Sequence, residues 1–598
     1  MQVRFVPKIP RQYGMEAPLM WLFAPFLIAA STIPQWLFAA APAPVCENLV
    51  LVGANARALG FTDSEKRLLC GDPKTPDWQR VPRSQAVFAL KNFLQERGFY
   101  YPTITDKDGV AEVDIGQPTN VTAVSFTGEP DALHGWKGRI FLKERLTPKL
   151  LQAVSDEVAV RLGDYGYACP KVETKADPST GTLHIHIAPG KPQNLTSINE
   201  QKVEGVAPGA LRRYDAFLLG KLYRAPLLPL TASRVITDGI VQNTFFDVRC
   251  TPEGVVADQK TLAGKPRQVT LGFGFNTDRG LSARGTWKHS RLGPWGSQIF
   301  TSVTASWKGA EFNTEEGRIE SIWYVFNRPS RFSLRPTLSV RHQSDNRLQI
   351  FGVVAQLSPT ITWDLEHFGG FASIGPVFTG ERKLRGEGRD QAVYLSLTAE
   401  ARLTSHDFEW QRTEPRSGFE LSAAASFSRR NVLAEFTSQL LRLRYTHLWN
   451  LPEESRTRLV LGIRAGISGT WVPSDEGGFA TLAPSLRHYL GGSSNLRGFG
   501  FQELPDAQGG LTSFFGSAEA RGTGLLPLDL QPYLFADIGS VSRNTFDFSA
   551  PWYLSPGFGL RYPSAFGVFR ASLAHGMPLS NAGIAGHWQF QFSYGEEF

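Results

Sequence analysis

From Gln268 to the end of the chain, apolar and polar residues alternate along many short runs. A period of two places successive side chains on opposite faces of a β-strand. The runs recur about every 20 residues with no helical pattern between them, so the roughly 330 residues involved hold about 16 strands. The clearest runs are 281–288, 332–341, 393–402, 441–445, 459–468 and 588–594.

The polar face of these runs separates a membrane barrel from a soluble β-sandwich, which would also alternate but would turn its apolar face inward. Long charged side chains recur on that face and suit a wet lumen. The sequence therefore predicts an antiparallel transmembrane β-barrel of about 16 strands over residues 266–598, an even number as bacterial outer-membrane barrels require. Pro336 lies inside one run, although proline removes a donor from the strand ladder, and the sequence offers no reason for it.

The first 41 residues have the layout of a secretory signal peptide. A basic segment is followed by an apolar core at 20–30 and by three alanines at 39–41 that offer a cleavage site. A transmembrane anchor is the alternative, but Pro25 and Pro34 interrupt the apolar run. No later run is long enough for a spanning helix, which leaves a periplasmic, secreted or outer-membrane barrel protein.

Before residue 263 the chain contains three similar repeats. A strand-like run ends at Gly53, Gly128 and Gly205, which are 75 and 77 residues apart, and a helical stretch and two strands follow each run. This order indicates three small α+β modules, over residues 44–117, 118–190 and 191–262. The expected helix N-caps are Ser84, Thr147 and Thr231.

Each small module leaves a sheet edge that can accept an extended client strand by β-augmentation. Rigid spacers are the alternative interpretation of the repeats. In the second repeat, His184 and His186 alternate with Ile185 and Ile187. A metal-binding pair is one interpretation, but the pattern is more typical of the wet face of a half-buried strand.

The chain has four cysteines, none with a CxxC or other metal-binding spacing, so no metal site is expected. Three pairings are possible. Cys46 with Cys70 is the expected disulfide, because both lie in one module and export permits oxidation. Free buried thiols are the alternative.

The sequence lacks the motifs GxxxxGK[ST], HExxH and GxSxG, and we therefore expect no enzymatic activity, no catalytic residues and no cofactor. The chain has 62 basic and 55 acidic residues. This balance is too mixed to indicate a nucleic-acid partner.

A long segment between Trp471 and Ser513 contains LGGSSNLRGFGF at 490–501. It resembles the sixth extracellular loop of the BamA/TamA superfamily of outer-membrane assembly and secretion proteins, in which Arg-Gly-Phe/Tyr follows a Gly-Gly pair. FGSAE at 515–519 and FADIG at 535–539 resemble the next two strands of that superfamily. The residues that carry the resemblance are Gly491, Gly492, Arg497, Gly498, Phe499, Glu519, Asp537 and Gly539.

The resemblance covers essentially the whole chain after the signal peptide, since it identifies the three repeats with POTRA modules. It also implies that Arg497 folds into the lumen and pairs with Glu519 and Asp537, and such a guanidinium–carboxylate contact would pin the loop. The alternative is that Arg497 is only a solvated loop charge.

Strand parity raises a difficulty for this placement. Phe515 and Glu519 share one face of their strand, and Phe535 and Asp537 share one face of the next. If the aromatic residues face lipid, both acids would point outward. Either the phenylalanines face the lumen, or the neighbouring glycines mark bulges that turn the acids inward.

Three POTRA modules favour the TamA branch. That branch implies a protein of the bacterial outer membrane that inserts or translocates β-rich clients such as autotransporters, in contact with outer-membrane lipid and with a large periplasmic TamB-like partner. The terminal Phe598 resembles the end signal of outer-membrane barrels, although Glu596 departs from the usual apolar residue. The alternatives are a two-partner secretion transporter that passes its client through the lumen and, less favoured by the repeats and the loop motif, a passive porin.

The two ends of the barrel predict a lateral seam. The first strand contains Gly272 and Gly274, which lack side chains for packing and weaken a strand. Its pairing with the last strand, near Phe590, Gln591 and Phe592, would close the barrel. Opening this seam would expose strand edges to a client. Alternatively, the glycines only let the barrel curve.

Overall fold

The computed structural model describes residues 43–46, 49–53, 55–56, 59–72, 74, 81–107, 109–308, 311–324, 331–344, 348–410, 416–451, 458–476, 478–506, 508–564, 567–579 and 586–594. The predicted signal peptide at 1–41 and the chain end with Glu596 and Phe598 lie outside these residues. Within them, no helix is both long enough and apolar enough to cross a membrane. The chain divides into two compact units between Pro192 and Gln193.

The unit that ends at Pro192 holds two sheets. The first has strands β1 (Ala43–Cys46), β2 (Leu49–Val52), β3 (Thr103–Lys107) and β4 (Val110–Asp114), with helices α1 (Asp63–Cys70) and α2 (Arg83–Glu96). The second has β5 (Ala123–Thr127), β6 (Lys171–Asp177) and β7 (Thr182–Ala188), with helix α3 (Pro148–Asp164). Their strand orders are β1-β2-β4-β3 and β5-β7-β6. In each sheet an early strand, β2 or β5, lies parallel to the last strand of a hairpin.

Helix α3 shows how the sequence builds such a module. Thr147 caps the helix as predicted, because its side-chain oxygen accepts a hydrogen bond from the backbone N–H of Leu150 at 3.1 Å. Val154, Val158 and Leu162 follow at helical spacing and are fully buried in a core that includes the inward residues of β7. The amphipathic stripe therefore fixes which face of α3 covers the sheet.

The two histidines of β7 lie on its exposed face. A ring nitrogen of His184 is 2.7 Å from the hydroxyl of Ser125, and one of His186 is 3.0 Å from that of Thr127. Within the described ranges, no group of three or more His, Cys, Asp or Glu side chains is arranged to hold a metal ion. The pair is thus hydrogen-bonded to the neighbouring strand on the wet face of the sheet.

In the first sheet, a disulfide between Cys46 and Cys70 joins the end of β1 to the end of α1, with the Cα atoms 5.5 Å apart. Helix α1 begins with a capping box that was not predicted from the sequence, in which the side chains of Thr62 and Glu65 each accept a bond from the other's backbone N–H. Both ends of this short helix are therefore fixed locally.

The unit that begins at Gln193 contains a third small sheet and the barrel. The sheet has strands β8 (Leu195–Glu200), β9 (Asn243–Thr251) and β10 (Gly254–Leu262), with helix α4 (Leu227–Thr237). Its strand order is β8-β10-β9, and β8 lies parallel to β10.

Two of the three predicted helix caps are wrong. Helix α2 begins at Arg83, so that Ser84 lies inside its first turn. Helix α4 begins before Thr231, whose buried hydroxyl donates to the carbonyl oxygen of Leu227 at 2.8 Å. It also accepts a bond from the backbone N–H of Ala216 at 2.9 Å. In the folded protein this hydroxyl therefore forms hydrogen bonds in the core and does not cap the helix.

The remainder of this unit is a closed barrel in which β11 to β26 pair in chain order. Its 16 antiparallel strands confirm the predicted fold class. The strands are β11 (Arg267–Asn276), β12 (Gly280–Leu292), β13 (Ser297–Lys308), β14 (Glu311–Tyr324), β15 (Phe332–Ser344), β16 (Gln349–Asp364), β17 (Phe368–Arg385), β18 (Gln391–Ser405), β19 (Gly418–Ser428), β20 (Ser438–Leu451), β21 (Arg458–Trp471), β22 (Thr512–Thr523), β23 (Gln531–Ser542), β24 (Trp552–Ser564), β25 (Gly567–Pro578) and β26 (His587–Tyr594). A one-turn helix, α5 (His406–Trp410), follows β18.

The alternation along the barrel strands separates the outer surface from the lumen. On β26, Trp588 and Phe590 are exposed, whereas Gln591 and Ser593, on the opposite face of the strand, are buried. This is the pattern of a barrel with an apolar outer band and a polar interior.

Pro336 now has a physical explanation. It pairs in register with Leu357 on β16, but the register of β14 with β15 skips from Glu320–Thr337 to Trp323–Leu334. The interruption falls at the residue that has no backbone N–H to donate. The barrel therefore tolerates the proline by giving up one stretch of one ladder.

The third sheet's helix is tied to one end of the barrel by partly buried ion pairs. The guanidinium of Arg234 on α4 contacts Asp364 at the end of β16 at 2.8 Å and Glu409 on α5 at 2.6 Å. Arg331 reaches the other oxygen of Asp364 at 2.6 Å. This end of the barrel is the one next to the third sheet, and because successive strands run antiparallel, the β21–β22 loop lies at the opposite end.

Candidate functional site in the barrel lumen

The segment between β21 and β22 is folded back as a hairpin. Backbone bridges join His488 to Gly510 and Leu490 to Leu504. Leu490, Leu496, Phe499 and Leu504 are almost completely buried and form a small apolar core beneath the loop. The loop is therefore a packed element of the structure, with its tip at residues 491–503.

The glycine pair of the motif permits the turn at this tip. Gly491 and Gly492 have φ angles of +112° and +103°, which residues with a Cβ rarely adopt. A Cβ on Gly491 would also lie 2.1 Å from the carbonyl oxygen of Gly500 across the hairpin. The side-chain oxygen of Asn495 accepts bonds from the backbone of Gly491 and Leu496 at 2.8 and 2.7 Å. The tip is thus held in shape before Arg497 is placed.

Arg497 makes the central contact between the loop and the barrel wall. Its Nε and Nη2 donate to the two oxygens of Asp537 at 2.9 and 2.7 Å, a bidentate geometry. Its Nη1 donates to Glu519 at 2.9 Å, and its backbone N–H donates to Asp537 at 3.1 Å. Glu519 lies on β22 and Asp537 on β23, so that one guanidinium holds two adjacent strands and the loop together.

The three charged side chains are buried as a group. Arg497 and Glu519 are 6% and 8% exposed, and Asp537 is fully buried. Ser517 supports them, since its hydroxyl donates to Asp537 at 2.7 Å and accepts from Arg497 at 3.2 Å. Because removal of one partner leaves a buried charge without compensation, such a network is costly to break.

The structure resolves the parity difficulty in favour of inward-facing aromatic residues. Phe535 is buried, and the guanidinium carbon of Arg497 lies 3.4 Å from the centre of its ring. The register of β22 with β23 runs without a bulge through Phe515–Gly539 and Glu519–Phe535. The phenylalanine of the FADIG motif is therefore a cation–π partner in the lumen.

The other residues of the motif contact the wall through backbone and ring. Gly498 lies against Gly576 on β25, where a Cβ would be 2.5 Å from the Gly576 nitrogen. Gly539 similarly leaves room for Leu490 and Leu496 of the loop. Phe499 is fully buried and packs edge-on against Tyr553, with ring centres 5.4 Å apart. Each glycine is thus a point of close approach.

The seam is narrow among the described residues. β11 and β26 share two register pairs, Phe275 with Tyr594 and Asn276 with Ser593. In contrast, β11 shares ten pairs with β12, and β26 shares eight with β25. Among the described residues, the junction of the first and last strands therefore has the fewest register pairs of these three.

Within the described residues, the seam contacts lie at the end of β11 that leads into the β11–β12 turn. The carbonyl oxygen of Phe592 accepts a bond from Thr277 N–H at 3.0 Å. A Cβ on Gly274 would be 3.4 Å from the carbonyl oxygen of Tyr594. In this register, Phe590 and Gln591 fall opposite the turn that follows β11, and the position opposite Gly272 lies beyond Tyr594, outside the described residues.

Further arginines, which the loop motif does not include, line the same part of the lumen. Arg521 on β22 and Arg561 on β24 are each 1% exposed, and Arg521 donates to Glu519 at 3.3 Å. Arg464 on β21 and Arg570 on β25 are close enough to Arg497 and Glu519 to interact with them electrostatically. In the sequence, Arg464 belongs to the polar face of the run 459–468. The other three arginines could have been recognised in the same way, because each lies on the inward face of its strand.

A known protein family matches the carboxy-terminal part of the chain, which includes this site. Residues 396–598 match the Omp85 superfamily domain. No curated protein sequence matches the chain.

Solved structures similar to this chain include BamA from Haemophilus ducreyi lacking POTRA domains 1–3, with 14% identity, a TM-score of 0.48 and coverage of 79% of this chain and 99% of that one. CdiB from Acinetobacter baumannii has 14% identity and a TM-score of 0.43, covering 80% and 89%. CdiB from Escherichia coli has 13% identity and a TM-score of 0.44, covering 86% and 97%.

The domain match includes the loop, both acidic strands and the last strand of the barrel. It confirms the resemblance at the level of the superfamily and the location in the outer membrane, with the small modules on the periplasmic side. The TamA branch stays a prediction. The chain is an outer-membrane β-barrel protein that carries an Omp85 superfamily domain over residues 396–598.

Proposed function

We propose that this protein inserts or translocates β-rich client proteins, such as autotransporters, at the outer membrane through the seam between β11 and β26. The observation that carries the proposal is the seam itself, joined by two register pairs within the described residues. A barrel strand without a partner presents backbone N–H and C=O groups to any extended chain. A client strand is the natural ligand for such an edge.

The outward row of β11 supports the same route. Val269, Leu271 and Phe273 are about 70% exposed, and they face lipid together with the apolar residues of β26. A client strand that pairs with β11 would enter the bilayer with its backbone groups already satisfied, which removes the main cost of placing a strand in lipid.

The loop in the lumen favours a lateral route over an axial one. Arg497, Phe499 and the apolar residues beneath them occupy the part of the lumen beside β22 to β25. An axial passage would bring each client past this loop and its buried ion network. A lateral passage leaves the network in place.

The modules provide further strand edges. β5 and β6 are the outer strands of the second sheet, and β8 and β9 those of the third. We propose that these edges dock clients, or a large periplasmic TamB-like partner, before transfer to the barrel.

A reversible lock tests the lateral route. Phe275→Cys with Tyr594→Cys places two cysteines on register partners across the seam, and oxidation should abolish client assembly until reductant is added. The matched control is Phe569→Cys with Tyr594→Cys, which joins register partners within the last hairpin and should preserve assembly. Full client assembly with the seam locked would contradict the proposal and favour passage through the lumen.

A further inference from the structure

The turn between β11 and β12 contacts the tip of the loop directly. The backbone N–H and the hydroxyl of Ser493 both donate to Oδ2 of Asp278, each at 2.7 Å. A Cβ on Gly492 would lie 2.8 Å from the same oxygen. The loop tip therefore forms a binding site for the Asp278 carboxylate. This site requires glycine at position 492, because a side chain there would collide with the carboxylate.

A second contact accompanies the first. The guanidinium carbon of Arg279 lies 5.3 Å from the ring centre of Phe501, within the range of a cation–π interaction. The turn is itself ordered, since the side-chain oxygen of Asn276 accepts a bond from Arg279 N–H at 2.6 Å. Asn276 is also one of the two β11 residues paired across the seam. The loop contact and the seam contact thus adjoin one another on the first hairpin.

The same loop tip holds the last hairpin. Gln591 on β26 reaches the carbonyl oxygen of Phe499 at 3.4 Å, and His587 packs edge-on against the Phe499 ring with centres 5.6 Å apart. Gly498 lies against Gly576 on β25. The loop consequently spans the seam from the inside, with one contact surface on each of the two hairpins that the seam separates.

The two attachments differ in strength. On the side of β22 and β23, the loop is held by a buried bidentate ion pair and a second carboxylate. On the side of β11, it is held by two partly buried hydrogen bonds and one cation–π contact. Charge-assisted bonds with both partners buried are the harder to replace with water.

We propose that Asp278 is a positioning residue that latches the seam. When the seam opens, the Asp278–Ser493 contact breaks first, and the loop stays bound to β22 and β23 through Arg497. This contact determines the fraction of molecules in which the seam is open. It does not change the client-binding edge itself. This inference rests on the proposed function, because it assigns a trigger to the same seam.

The test measures the seam without any client, so that its result does not depend on the proposed function. Spin labels on noncanonical amino acids at Phe273 and Phe590, two outward-facing positions on either side, report the distance in lipid vesicles. Loss of two bonds to a carboxylate in Asp278→Ala should raise the open population about tenfold. Asp278→Asn keeps an acceptor oxygen and should remain close to the wild type.

The matched control is Asp547→Ala. One oxygen of Asp547 also accepts bonds from the backbone and hydroxyl of a serine, Ser549, at 2.9 and 2.6 Å, but within its own turn. This variant should leave the seam distance unchanged. An unchanged distance distribution in Asp278→Ala would overturn the latch. The latch would also be overturned if Asp278→Asn and Asp547→Ala broadened the distribution as much as Asp278→Ala does. Client assembly in the locked seam variant tests the proposed function separately.

Discussion

The substitution Arg497→Ala should release the loop from the lumen wall while the barrel stays folded. It removes four side-chain hydrogen bonds, two to Asp537, one to Glu519 and one to Ser517, and the stacking on Phe535. Breaking a buried pair by removing one partner costs on the order of 3–5 kcal/mol.

The lower part of that range is expected, because both acids keep a partner. Asp537 retains the hydroxyl of Ser517 at 2.7 Å, and Glu519 retains Arg521 at 3.3 Å. A cost of about 3 kcal/mol shifts the ratio of pinned to released loop by more than about 100-fold. The barrel itself is a closed ring of 16 paired strands, and we expect it to survive this loss.

Chymotrypsin access at Phe499 measures the release. This ring is fully buried in the pinned loop, and cleavage after it yields two fragments of defined size. Arg497→Ala should become sensitive and should lose client assembly, whereas heat-modifiable gel mobility should still report a folded barrel. Arg497→Lys should restore only part of both, since an ammonium lacks the planar fork that matches Asp537.

Arg543→Ala provides the control for the loss of an arginine. Arg543 pairs with Asp506, but both side chains are about half exposed, and such a surface pair contributes at most about 1 kcal/mol. Its loop should remain resistant. If Arg497→Ala were as resistant to chymotrypsin and as active as the wild type, the pinning role of the ion network would be refuted.

Two further substitutions test other contacts. Gly498→Ala should displace the loop tip because its Cβ would lie 2.5 Å from the backbone of Gly576, whereas Gly500→Ala meets only the flexible end of a glutamate and should be tolerated; chymotrypsin sensitivity in both or neither would contradict this. Arg234→Ala should cost about 2 kcal/mol at the junction of the third sheet with the barrel, since the side chain is 16% exposed and pairs with two carboxylates, one of them Glu409. Amide hydrogen exchange should accelerate in α4 and α5 but not in β17, and unchanged exchange in α4 would show that these pairs are dispensable.

The sequence by itself determined the class of fold. Alternation with a period of two is a local property, and it predicted both the barrel and its strand number, which the structure confirms. The stripe of Val154, Val158 and Leu162 likewise needed only helical spacing. The loop motif singled out Arg497 together with the two acids that the structure places beside it.

Only the tertiary structure decided which face of each strand meets the lumen at the site. Parity showed that Phe535 and Asp537 share a face, but not which side of the barrel that face was on. The choice depends on pairing with strands far away in the chain, and the buried ion pair selects it by placing the phenylalanine under Arg497.

The residue contacts of the seam and of the latch could not be predicted from the sequence for the same reason. Register between β11 and β26 joins residues more than 300 positions apart, so no local pattern states that Phe275 meets Tyr594. The contact of Asp278 with Ser493 spans 215 positions and involves two ordinary turn residues. Local periodicity determines which elements form, whereas long-range register determines which side chains meet, and the proposed activity depends on the second.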